Sequence, residues 1–96
     1  EALKSAPTDL ACEIQFELAE VYELEGEFLK AANEFITLSV LFPKNMVYSG
    51  KARVRAAKLF EDADKPEEAL KVYELIAGSA SNQADFAKEK IRKIKN

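Results

Sequence analysis

The 96-residue sequence contains no histidine, a single cysteine, three glycines and three prolines. Without histidine, neither a Ser-His-Asp arrangement nor the Glu-x-x-His ligand pair of di-iron helix bundles can be assembled. One thiol, Cys12, cannot close an intrachain disulfide, and its place in a helical pattern reads as a small, partly buried residue. There is no glycine-rich phosphate loop, no Cys/His metal spacing and no acidic loop of calcium-binding pattern. No apolar run approaches the roughly 18 residues that span a bilayer, and no signal-peptide pattern opens the chain. The net charge of −3 gives no footprint for nucleic acid. These absences point to no catalytic role, no cofactor and no metal, and to no membrane insertion by this segment.

What remains is 48% apolar and 32% charged. Alanine, leucine, glutamate and lysine all favour helix, and little in the chain would break one, so the composition reads as all-α. At this length one small domain is expected, with a core of modest depth. The chain begins at Glu1, without an initiator methionine, in what reads as the middle of a helix; the expectation is a piece of a longer protein, its C-terminal part.

Punctuation divides the sequence into helices. Pro7 followed by Thr8 and Asp9 reads as a stop and then an N-cap, leaving a helical stub at residues 1–5 and a helix over about 9–25. Leu10, Ile14, Leu18, Val21 and Tyr22 recur there at steps of three and four. Gly26 supplies the helix end, and Phe28, Ala31, Phe35, Leu38 and Leu41 form the next stripe, closed by Pro43. Asn45 caps a third helix with Val54, Ala57 and Phe60 inside. Asp64, three before Glu67, reads as a capping box for a fourth, with Pro66 in its first turn and Ala69, Leu70, Tyr73 and Ile76 on its stripe. A fifth, about 83–95, carries Ala84, Ala87, Ile91 and Ile94.

Internal repetition is the strongest signal. Tyr22, Ala31 and Phe35 recur as Phe60, Ala69 and Tyr73, each 38 positions later. With Leu18, Ala19, Gly26 and Pro43 in the first unit and Ala56 and Ala57 in the second, the pattern resembles the tetratricopeptide repeat. Ala2, Leu3 and Pro7 look like the tail of an earlier unit, which leaves Leu3 exposed. Departures are Gln15 and Arg53 where the family opens with an aromatic, Ser81 where it closes with proline, and a unit longer than the family's by an extended connection after Pro43. That longer connection is similar to a subgroup of bacterial cell-envelope proteins, which implies a periplasmic or envelope location.

The resemblance implies antiparallel helix-turn-helix repeats stacked in a right-handed superhelix: residues 1–7 as the tail of a preceding repeat, 8–45 as repeat one, 46–82 as repeat two and 83–96 as a capping helix. A helix pair cannot bury its own apolar face, so stability comes from stacking. Ala19, Ala31, Ala57 and Ala69 allow close approach, while Tyr22, Phe35, Phe60 and Tyr73 fill the space between pairs. On the last helix Lys88, Lys90, Lys93 and Lys95 suit an outer face.

Acidic residues crowd residues 18–35, which raises the question of a carboxylate site. A repeating amphipathic helix puts such carboxylates in water rather than in a cleft that shifts their acidity, so the scaffold reading is preferred. Glu13, Glu17 and Glu20 form one stripe, and like charges at this spacing cost about 0.2–0.5 kcal/mol per pair. Adding 38 gives Lys51, Arg55 and Lys58, a basic stripe that should face or flank the acidic one. Such pairs read as solvated ion pairs worth roughly 0–1 kcal/mol each, as charged banks of a groove that orient a partner, or as both together. By resemblance, the groove positions are Glu13, Phe16, Glu20, Glu23 and Leu24 from repeat one, and Lys51, Val54, Lys58, Glu61 and Asp62 from repeat two. Phe16, Leu24 and Val54 are the apolar contacts; Glu13, Glu17, Glu20, Lys51, Arg55 and Lys58 are the orienting charges. The set does not look like the family's carboxylate clamp, so capture of a peptide C-terminus is not implied.

The expected function is therefore protein–protein interaction, the partner being another protein or peptide. The alternative is structural: self-assembly or a spacer between domains, with the groove idle. Residues 1–35 carry a net −7 and residues 36–96 a net +4, a head-to-tail dipole that reads either as ordinary variation of surface charge or as a basis for weak end-to-end self-association.

Overall fold

A computed structural model describes the backbone of residues 2–79 and 83–95 and the side chains of residues 10–79 and 83–95. The side chains of the expected tail, Leu3 among them, and Ser81 lie outside these described residues. Among them the chain is all-helical: α1 Ala2–Leu24, α2 Phe28–Leu41, α3 Met46–Asp62, α4 Pro66–Ala77 and α5 Ala84–Lys95.

The 38-residue period governs the helix boundaries. Both α1 and α3 end in the same two-bond cap. Gly26 N–H donates to the Glu23 carbonyl (3.0 Å) and Glu27 N–H to Tyr22 (2.9 Å); 38 residues on, Asp64 N–H donates to Glu61 (3.0 Å) and Lys65 N–H to Phe60 (2.8 Å). The cap needs a left-handed residue, supplied at φ +80° by Gly26 and at φ +62° by Asp64. α2 and α4 then begin at Phe28 and Pro66, and α3 and α5 at Met46 and Ala84, each pair again 38 apart. Asn45 caps α3 as its sequence suggests, its side chain accepting from Tyr48 N–H at 3.2 Å.

Two boundary expectations are corrected. Pro7 does not end a stub, since α1 runs through it from Ala2. A proline removes one backbone bond and strains the turn before it, and near a helix start that cost need not break the helix. Asp64 is not the N-cap of α4. That position is Lys65, with no side-chain cap bond, and Asp64 closes α3 instead.

Each helix packs on its neighbours in the chain, α1 on α2, α2 on α3, α3 on α4 and α4 on α5, and α1 also touches α3. The result is a slab of 50 × 32 × 15 Å. Its core is a seam of small residues (Cys12, Ala19, Ala31, Ala32, Ala52, Ala56, Ala57, Ala69, Ala87) that lets helices approach, filled by Phe35, Leu38, Phe60, Tyr73 and Ile76. Cys12 is fully rather than partly buried. Gln15 ties α1 to α2 by donating from Nε2 to the Glu34 carbonyl (3.0 Å) and Oε1 (2.6 Å).

The apolar stripe of α1 is a third correction. Leu10, Ile14, Leu18 and Val21 are exposed, and the face turned to α2 is the one carrying Cys12 and Ala19, with Phe16 and Tyr22 half-buried beside it. Small residues win that face because they permit the shorter distance between helix axes. Phe28 and Leu41, at the ends of the α2 stripe, are exposed as well.

Candidate functional site

Arg55, on α3, organises the surface between α1 and α3. Its Nη1 lies 3.4 Å from Glu20 Oε2 and its Nη2 2.5 Å from Glu23 Oε1. Glu20 and Glu23 are three apart on α1 and so project from one side, one carboxylate for each terminal nitrogen. The guanidinium carbon sits 5.1 Å from the Phe35 ring centre and 5.7 Å from that of Phe16. Phe16 meets Phe35 edge-to-face at 5.1 Å and Tyr48 at 5.3 Å. The arginine is thus fixed from two directions, by charge above and aromatic faces below.

Beside this cluster an open cleft is lined by Glu20, Glu23, Leu24, Phe28 and Arg55. Leu24 is 87% exposed, the most exposed large apolar side chain among the described residues, and Phe28 is 38% exposed. A fixed cation, two carboxylates and two apolar side chains therefore converge within one turn of the α1–α2 connection.

The sequence-derived site divides on this geometry. Glu20, Leu24 and Arg55 come together in the cleft. Phe16 supports Arg55 from below, and Val54 is half-buried against the core. Glu13, Glu17, Lys51 and Lys58 are exposed, and none makes an ion pair among the described residues. The acidic and basic stripes thus meet at Arg55 alone. The carboxylates that reach it belong to the last two turns of α1, which is where the two first helices exchange charge. Among the expected ion pairs Glu23 was missed, although its spacing of three from Glu20 was a readable signal. Phe28 was assigned to the core stripe of α2.

Glu61, placed in the groove by resemblance, is instead half-buried beneath α5, where Lys90 Nζ pairs with its Oε1 at 3.3 Å. Glu61 stands 38 residues after Glu23, so in both units the same carboxylate takes a cation from the next first helix. Lys90 Nζ also lies 5.9 Å from the centre of the buried Tyr73 ring. Burial, and then the Glu61 carboxylate nearby, hold the Tyr73 hydroxyl well above the ordinary tyrosine range. The hydroxyl and the inner oxygen of Glu61 are both buried, and neither closes a hydrogen bond of good geometry.

Among the described residues no three His, Cys, Asp or Glu side chains gather as metal ligands, and no helix is long and apolar enough to cross a membrane. No family model, curated protein or solved structure matches the chain.

Proposed function

We propose that the chain is a protein-interaction scaffold, a right-handed stack of tetratricopeptide-like helix pairs that binds a polypeptide segment along the surface of its first helices. The supporting observation is the cleft at the end of α1, where an almost fully exposed Leu24 stands beside the fixed Arg55–Glu20–Glu23 cluster. Exposed apolar side chains next to oriented charges suit recognition: the apolar part supplies affinity, the charges set direction. Because the aromatic faces hold the arginine in place, little ordering remains to be done on binding. Lys51 and Lys58 extend the basic bank along α3 and add orientation.

Selection of a random peptide library on the chain, followed by amide shift mapping of an enriched peptide, tests this. Shifts should centre on Glu20–Phe28 and Arg55. Leu24→Glu should abolish binding, and Lys51→Glu with Lys58→Glu should weaken it, with the helical circular dichroism unchanged. No enrichment, or shifts that centre elsewhere, would overturn the reading.

A further inference from the structure

Away from the cleft, α3, the end of α4 and the start of α5 surround a pocket of about 70 Å³. Met46, Ser49, Gly50, Arg53, Ile76 and Gln83 line it, and none of its lining residues is acidic. The residues 38 positions earlier show how the first unit treats the same place. Cys12, fully buried, stands where Gly50 does, Ala11 where Ser49 does and Gln15 where Arg53 does. Gln15 is satisfied by α2, its Nε2 donating to Glu34 Oε1 at 2.6 Å. At the place of Glu34 the second unit has Val72, 5% exposed, which offers no acceptor in its side chain.

The exchange leaves a cation without a partner. Arg53 is half-buried, its Nε is buried with no acceptor, and it makes no ion pair among the described residues. An unmatched buried donor lowers stability, and so does a glycine inside a helix, as Gly50 is in α3. Gly50 also admits a polar neighbour, since a Cβ there would lie 3.0 Å from Gln83 Oε1. Among the described residues α4 touches neither α1 nor α2, so the equivalent place in the first unit is closed by its own residues and not by a further helix. The pocket is therefore a difference in side chains and does not arise where the chain begins or ends.

Charge and size select the ligand. One guanidinium matches one carboxylate in charge and in its planar fork, whereas a phosphate group brings nearly two negative charges to a single cation. Met46 and Ile76 offer an apolar wall to a carbon stem, and the volume admits a few atoms beyond the carboxylate. We propose that the pocket binds a carboxylate on a short aliphatic stem, held by the Arg53 guanidinium as the Glu34 carboxylate is held by Gln15 in the first unit. A free acid and the acidic side chain of a partner present this same group.

Butyrate and a blocked glutamate, N-acetylated and N-methylamidated, should each be titrated into the 96-residue chain at constant ionic strength, with chloride and phosphate as controls. Saturable shifts at the Ser49, Gly50 and Gln83 amides and at the Arg53 Nε–H are expected at concentrations on the order of millimolar, with Glu20–Phe28 unmoved. Arg53→Gln, which copies the first unit, should weaken binding by roughly tenfold or more with helicity unchanged. Val72→Glu should supply the carboxylate from within the chain and abolish binding. Tighter binding of the blocked glutamate assigns the site to a partner's side chain, tighter butyrate to a free acid, and either supports the proposal. No saturable shift, an equal response to chloride, a preference for phosphate, or binding indifferent to Arg53→Gln would overturn it.

Discussion

α1 and α3 occupy the same place in a 38-residue unit, end in the same cap and hand a carboxylate to the next first helix, yet they bury different faces. On α3 the positions equivalent to Ile14, Leu18 and Val21 are closed and filled mostly by alanine. On α1 they hold larger side chains and stand open. The period in the sequence identifies the unit, but burial belongs to the neighbours, and an apolar stripe says only that something can pack there.

The comparison breaks most sharply at its third pair. Leu59→Ala should cost about 2–5 kcal/mol in urea unfolding, while Val21→Ala, at the same place in the first unit, should stay within about 0.5 kcal/mol. Equal costs would mean that α1 is covered in solution. Exchanging residue size between the units comes next. Ala56→Leu, which gives α3 the residue that α1 has at Leu18, should destabilise by about 1–3 kcal/mol through overpacking, and Leu18→Ala should be close to neutral.

The two helix ends sharpen the comparison at smaller magnitude. Asp64→Gly relieves a left-handed aspartate and should raise stability by up to about 1 kcal/mol, whereas Gly26→Ala should lower it by about 1 kcal/mol. Nothing lies within 4 Å of a Cβ built on Gly26, so backbone conformation alone sets that cost. Thermal unfolding of both variants checks the pair.

Smallest at neutral pH is Tyr73→Phe, which gives the second unit the residue that the first has at Phe35. It should change stability by less than about 1 kcal/mol, because the hydroxyl it removes closes no good hydrogen bond. At alkaline pH the two proteins should part. Ionisation of Tyr73 is raised in the folded chain, so the unfolded chain, whose tyrosine titrates near 10, releases its proton first. The contribution is therefore complete below about pH 10 and lost as the pH climbs from there toward the folded value. Urea midpoints from pH 9 upward should fall more steeply for the parent than for Tyr73→Phe.

Much of this architecture was legible before any coordinates, because Gly26, Asn45 and Pro66 each have one economical use and the alanines mark where helices touch. What escaped reading had physical causes. Pro7 was weighed as a stop, although a single lost bond near a helix start can be carried by the rest of the helix. Asp64 satisfied two local patterns, an N-cap and a left-handed helix end, and the chain uses the second. Which acids Arg55 meets was not legible, because spacing along a helix does not say how far one helix is shifted against another. The exposed face of α1 was taken for its core face because large apolar residues are the louder signal, while Cys12 and Ala19, which make the contact, are small.

Sequential packing also governs how such a chain reaches its shape. Among the described residues every major contact joins helices adjacent in the chain, and only the α1–α3 contact skips a helix. Each step of assembly then closes a loop of few residues and loses little entropy. Chains with such local contacts fold within microseconds to milliseconds. Pulled from its two ends, this one would come apart as a zipper does, one helix at a time, with no single rupture that releases the whole.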